Sequence, residues 1–344
     1  MLGAGQARFN VTLAGDEVVS AYRFVFVPED WERSDRALQT SFKTGSVIKG
    51  VCMAGIYLTG IGLALVAWGR KKLAGRFALR LFGLLFGCML AVSLNRWPAT
   101  TAGFSTAQPL QLQQIMSLLG PLVGGLFLAG GIALLAGLVA RWLRPSPSEE
   151  HRTALLGGGT GLAIGGGVAL AALLPAGSNP NWQNLSAAVT YVPWLAAPLG
   201  ALIPFLSLCI SQLFIFTALD RATDGWRRQR PAAVILLFVV LSVLQLTGGA
   251  TSIGLWLGTA ATSAALMVTV YVFVLRHDLT VLPLVLGVSV ATGTLADGFP
   301  RSYPGALPAD GLAAVTLVTV GWWLTRKLRT IAAAHAAEST GVKG

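Results

Sequence analysis

Ser211 and Gln212 stand side by side in the run FLSLCISQLFIFTALDR (205–221), where most neighbours are apolar. A polar group without a partner is costly in such a segment, so the pair needs a physical reason. A serine hydroxyl attacks as a nucleophile only beside a base, and a glutamine amide takes up no proton near neutral pH. What the two can do unaided is hydrogen-bond. Ser207, Ser242, Gln245, Thr259, Thr262, Ser263, Ser289 and Thr292 share that capacity. Two uses stay open: interhelical bonds worth about 0.6–2 kcal/mol each, or one shared polar cavity. Ser207, Ser211, Gln212, Ser242, Gln245 and Ser289 are the candidates to line such a cavity.

The other reactive residue types carry less. His277 in VLRHDL has no second histidine or carboxylate three or four positions away and reads as a solvated group at a helix end, while His151 lies in a cytoplasm-facing cluster and His335 in the tail, neither suggesting chemistry. Cys52, Cys88 and Cys209 fall in apolar segments without metal-site spacing and read as small buried hydrophobes. No metal or other cofactor is expected. GGGTGLAIGGG (157–167) lacks the Lys-Ser/Thr of a phosphate loop and sits in an apolar run; Gly157, Gly161 and Gly165 recur every fourth residue, as in close helix packing. Gly83/Gly87 and Gly120/Gly124 repeat the spacing and are read the same way. Apolar interiors free of Asp and Glu count against a proton-coupled carrier. HExxH, GxSxG and nucleotide-binding patterns are absent.

The elements that position these groups follow from composition. A chain of 344 residues that is 54% hydrophobic and 11% charged, with mean hydropathy +0.68, has too much apolar surface for a soluble domain. The net charge of +11 comes from clusters between apolar runs, which points to topology rather than nucleic acid. A bilayer core needs ~20 apolar helical residues. That ruler marks nine spans: 46–68, 77–97, 115–140, 154–174, 188–217, 231–250, 252–275, 279–299 and a short 311–325. Pro193, Pro198 and Pro204 predict a kink or break in the fifth. The expected fold is therefore an all-α polytopic membrane protein of about nine transmembrane helices: a four-helix region over 46–174, a second membrane region over 175–329 and a tail over 330–344.

Basic residues alternate between the loops. Arg70, Lys71, Lys72 and Arg76 follow the first span; Arg141, Arg144 and Arg152 the third; Arg221, Arg227, Arg228 and Arg230 the fifth; Arg276 the seventh; and Arg326, Lys327 and Arg329 the last. The intervening loops hold only Arg96 and Arg301. The rule that basic loops stay in the cytoplasm puts the C-terminus inside and residues 1–45 outside. Within that outer segment, ARFNVTLAGDEVVSAYRFVFV (7–27) alternates as two strands about Ala14-Gly15-Asp16, and PEDWERSDRALQTSF (28–42) reads as a short helix opening at Pro28. A lone hairpin is marginal in water, so residues 1–45 are expected to end a larger extracytoplasmic domain, a short translocated tail being the alternative.

Three segments resemble the CAAX prenyl protease and bacteriocin-processing (CPBP) family of intramembrane proteases, whose signatures are EExxxR, FxxxH and HxxxN on successive helices. SQLFIFTALDR is similar to the first, with Ser211 and Gln212 where the family has glutamates and Phe216 where it has arginine. LSVLQ (241–245) resembles the second, with Leu241 for the aromatic and Gln245 for the histidine; RHDLTVLPLVLGVSVATG (276–293) resembles the third, with Gly287 for the histidine and Ala291 for the asparagine. GDEVVSAYRFVFVPEDWERSD also looks like a segment that precedes the membrane domain in some members. In the family a glutamate activates water; none of the residues at these positions can. The resemblance thus implies a catalytically silent relative in a bacterial inner membrane, with the bilayer and membrane-embedded or lipid-modified peptides as partners. A channel or carrier for a neutral solute, and an endopeptidase using other residues, are the alternatives.

Overall fold

The computed structural model describes residues 6–145, 149–173, 189–246, 252–298 and 305–341. The chain forms two compact units, one from Met1–Met53 with Phe238–Ala265 and one from Ala54–Leu237 with Leu266–Gly344. Strands β1 (Gln6–Ala14) and β2 (Glu17–Phe26) pair antiparallel. Gly15 turns the chain at φ +68°, a left-handed conformation that glycine adopts without a Cβ penalty. Asn10 stands opposite Tyr22 and donates to its hydroxyl at 2.7 Å, while the Arg8 guanidinium lies 3.6 Å from the Phe26 ring centre.

Helix α1 (Glu29–Gly69) begins just after Pro28, whose carbonyl accepts from Trp31 and Glu32 N–H. The short helix and the first span expected from the sequence are one continuous helix of 41 residues. At 1.5 Å per residue it is about 60 Å long, roughly twice a bilayer core. Its early turns are charged but carry no breaker, and Glu29–Arg33 and Glu32–Arg36 pair one turn apart, so nothing stops the helix before the apolar run. In the first unit the α1 residue Phe42 meets the Trp256 ring edge-on at 5.1 Å between centres.

The remaining helices are α2 (Gly75–Asn95), α3 (Trp97–Ala102), α4 (Leu110–Trp142), α5 (Glu150–Leu173), α6 (Pro193–Ala222), α7 (Arg230–Leu244), α8 (Ile253–Val270), α9 (Leu282–Gly298) and α10 (Ala306–Gly341). A π turn (Tyr271–Leu275) extends α8 and a 3-10 turn (Leu279–Val281) leads into α9. Among the described residues, seven helical stretches are long and apolar enough to cross a membrane, as a polytopic membrane protein requires. The expected spans 154–174 and 231–250 are not among the seven. The first falls on α5, and the second on the 15-residue α7, its continuation over 247–250 lying outside the described residues, as does Arg301.

Two expected boundaries are corrected. No break interrupts α6: Pro193 occupies the first turn, where no N–H is needed, and Pro198 and Pro204 lie inside the continuous helix. The last helix runs to 36 residues, because the basic stretch that ends its apolar run is made of good helix formers. In the second unit, α9 packs between α5 and α10, α2 packs on α4, and α6 meets both α4 and α10. Leu135, Leu138, Leu206, Ile210, Leu213, Leu317, Leu324 and Leu328 are buried there.

Candidate functional site

α6 positions Ser207, Ser211 and Gln212, and a fourth residue completes the arrangement. Tyr57 on α1 places its hydroxyl 2.7 Å from both Ser207 Oγ and Ser211 Oγ. Ser211 Oγ also lies 2.6 Å from the Ser207 carbonyl, four residues back on its own helix. One arrangement uses all three hydroxyl protons: Ser211 donates to that carbonyl, Tyr57 donates to Ser211, and Ser207 donates to Tyr57. Ser211 is 2% exposed, and no carboxylate or imidazole of the described residues joins the ring. It is a satisfied hydrogen-bonding group rather than an activated nucleophile.

Gln212 is 4% exposed, and its Oε1 has no partner among the described residues. An unmatched buried carbonyl of this kind costs about 1–3 kcal/mol. Phe216, one turn further on, is fully buried and stacks on Tyr271 at 4.6 Å between ring centres. Tyr271 accepts a hydrogen bond from Trp226 Nε1 at 2.9 Å. Trp226 has φ +65°, which strains a bulky residue, and the bond and ring contact with Tyr271 hold it there. Position 216 therefore lies inside an aromatic cluster.

Gly287 on α9 faces the backbone of α10. A Cβ added there would stand 2.9 Å from the Leu317 carbonyl, and one added to Gly321 would stand 2.6 Å from the Pro283 carbonyl. Gly287 thus allows a close helix crossing, and a histidine at that position would force α10 away. Ala291 is buried one turn later. The stripe Gly157, Gly161, Gly165 meets the opposite side of α9. Added Cβ atoms would lie 2.6 Å from Leu284 Cδ2, 2.6 Å from the Val285 carbonyl and 2.7 Å from the Ser289 carbonyl. Gly83, Gly87, Gly120 and Gly124, read from the sequence as packing glycines, have nothing within 4 Å of a Cβ. α2 and α4 meet through other positions: Gly125 beside Phe86, and Gly137 against Ala78 and Leu73.

Four of the remaining polar candidates are satisfied locally, whereas Gln245, Ser263 and Ser289 show no side-chain hydrogen bond among the described residues. Ser242 Oγ donates to the Phe238 carbonyl at 2.7 Å, and Gln245 is half-buried at the end of α7. Thr259, Thr262 and Thr292 likewise donate to carbonyls three or four residues back. Interhelical bonding is thus confined to Tyr57 with Ser207 and Ser211 in this set. Ser242 and Gln245 belong to the first unit, and Ser207, Ser211, Gln212, Ser289, Gly287 and Ala291 to the second. Sequence reasoning missed Tyr57, whose only signal was a phenol within an apolar run. It also missed Asn95, whose side chain accepts from Val192 N–H at 2.7 Å and donates to the Val192 carbonyl at 3.2 Å. Buried Asp310 on α10 was missed because it lies just before the expected last span.

His277 is exposed and accepts from Arg276 Nε at 3.0 Å, while Asp278 caps the 3-10 turn and pairs with Arg329 at 3.8 Å. No group of three or more His, Cys, Asp or Glu among the described residues is placed to hold a metal ion. No family model, no curated protein and no solved structure matches this chain.

Proposed function

We propose that this chain is a non-catalytic, CPBP-like polytopic protein of a bacterial inner membrane that acts by binding membrane-embedded or lipid-modified partners. The observation that carries this reading is the closure of Ser211 into a hydroxyl ring with Tyr57 and Ser207, without a base. Two further observations support it. The aromatic cluster around Phe216 leaves that position no role in charge stabilisation, and the α9–α10 crossing at Gly287 leaves no room for a larger side chain. Basic loop clusters support an N-terminus outside and a C-terminus in the cytoplasm, over about nine spans. The carrier alternative drew on a broken fifth span, and α6 runs unbroken.

The test uses the purified full chain in detergent, mixed with a fluorescent isoprenylated peptide and with its unmodified counterpart. Tighter binding of the isoprenylated peptide, with both peptides intact after prolonged incubation, is the expected result. Cleavage that a single point substitution abolishes would overturn the non-catalytic reading. Equal binding of the two peptides would overturn the lipid-modified partner.

A further inference from the structure

Three helices of the second unit bring cations to one end of the bundle. Arg70 and Lys72 follow α1, Arg141 lies in the last turn of α4, and Arg221 lies in the last turn of α6. These residues, with Trp142 and His335, line a cavity of about 400 Å³. Its walls continue as Leu63 and Val66, which are 43% and 54% exposed. They precede Arg70 by seven and four positions, so one face of α1 leads from apolar surface to the cations.

Three carboxylates near this end are engaged elsewhere: Asp220 with Arg144 at 3.4 Å, Glu150 with Arg326 at 3.1 Å, and Asp278 with Arg329 at 3.8 Å; Glu149 and Asp224 are exposed and pair with none of the cavity's described cations. Among the described residues, Arg70, Lys72 and Arg221 form no ion pair. The Arg221 guanidinium lies 4.9 Å from the Trp142 ring centre, which fixes its plane without neutralising it. A cavity of about 420 Å³ at the other ends of α2 and α4, lined by Asn95, Trp97, Tyr191 and apolar residues, has no charged side chain. Concave size alone therefore does not gather cations; the loop sequences at one end do.

Several unneutralised cations around a concavity focus positive potential and favour an anion. Guanidinium groups suit phosphate oxygens, because their N–H donors are arranged as a fork. The adjoining apolar strip suits a molecule that carries hydrocarbon beside its phosphate. We propose that this cavity binds the phosphate of an anionic phospholipid headgroup, with an acyl chain along Leu63 and Val66. Such a lipid would tie the ends of α1, α4 and α6 together at the membrane surface. This site is separate from the Ser211 ring and does not depend on the function proposed above.

The experiment is native mass spectrometry of the purified full chain, titrated with phosphatidylglycerol, phosphatidylcholine or sn-glycerol 1-phosphate. Wild type is expected to retain phosphatidylglycerol about tenfold more tightly than phosphatidylcholine. The double variant Arg70→Gln/Arg221→Gln loses one bound phosphatidylglycerol or about a tenfold margin in affinity. A second basic cavity lined by Arg76, Arg80 and Lys327 is untouched in both proteins, so the readout is the change of one site. Arg227→Gln/Arg228→Gln, which removes two exposed charges from the same loop region, leaves binding unchanged. Arg70→Lys/Arg221→Lys keeps the charge but not the fork and retains binding in part, more than the Gln variant, which separates charge from folding.

Equal retention of the two lipids would overturn the proposal. So would equal loss in the cavity and loop variants, or equal loss in the Gln and Lys variants. Glycerol phosphate displacing phosphatidylglycerol at equal concentration would overturn the lipid source and assign the cavity to a soluble phosphate ester.

Discussion

Tyr57 on α1 and Ser211 on α6 lie 154 positions apart in sequence, and their hydroxyl oxygens are 2.7 Å apart. With Ser207 they close a ring in which every hydroxyl proton has an acceptor. Tyr57→Phe is expected to lower stability by about 0.6–2 kcal/mol, the range of interhelical hydrogen bonds in membranes. Ser211→Ala should cost less, since Tyr57 keeps Ser207 at 2.7 Å. SDS-titrated unfolding of the single and double variants measures the coupling; strictly additive losses would show that the ring does not act as a unit.

Glycine positions separate into two kinds that spacing alone does not distinguish. Gly161→Leu and Gly321→Ala each drive a side chain into a neighbouring backbone carbonyl. Each should cost about 1–3 kcal/mol or more, as overpacking does. Gly83→Ala and Gly124→Ala meet open space and should be neutral or stabilising by about 0.5–1 kcal/mol, since alanine is the better helix former. Thermal unfolding of the four variants in one detergent decides, and equal losses in both pairs would refute the distinction.

Phe216→Arg places a charge where a ring now stacks on Tyr271. An arginine inside a membrane helix costs about 2.5–3.5 kcal/mol even on the mildest scale. The aromatic contacts are lost as well. The variant is expected to accumulate poorly and to elute as aggregate in size-exclusion chromatography, whereas Phe216→Leu should remain monodisperse with a lower melting temperature. A stable Phe216→Arg protein would mean that the position opens onto water or an unseen acid.

Gln212→Met keeps approximate volume and removes the unpartnered Oε1. Because an unmatched buried acceptor costs about 1–3 kcal/mol, the substitution should leave stability unchanged or raise it. A loss above about 1 kcal/mol in the same SDS titration would show that the amide is engaged.

Asn95 clamps the chain before α6 through both polar groups of Val192. Asn95→Leu strands that N–H and carbonyl and should cost about 1–3 kcal/mol. Limited proteolysis should then cut near residues 189–193 sooner than in wild type, and an unchanged digestion pattern would count against the clamp.

The apolar runs made most helices legible, because a membrane helix must bury its own backbone hydrogen bonds and lengthy apolar sequence leaves few other solutions. The hairpin was legible too, since roughly alternating runs on either side of Gly15 read as two strands, though the register irregularity between Thr12 and Leu13 was not. Helix ends were less so. α1 and α10 run beyond their apolar cores because charged residues end a hydropathy signal without ending a helix. α6 runs through Pro198 and Pro204 without a break, each removing one backbone hydrogen bond from a 30-residue helix.

By itself, the sequence determined that Ser211 and Gln212 lie on a long apolar helix and that no residue beside them can serve as a base. Residue type alone settles that, since proton affinity is a property of the side chain. Only the tertiary structure decided what those positions do. Tyr57 satisfies Ser211 from another helix, Gly287 receives the α10 backbone, and Gly83 and Gly124 receive nothing. Identical spacing on two helices gives opposite outcomes, because a glycine's effect depends on what stands across from it, and that neighbour comes from a distant part of the chain.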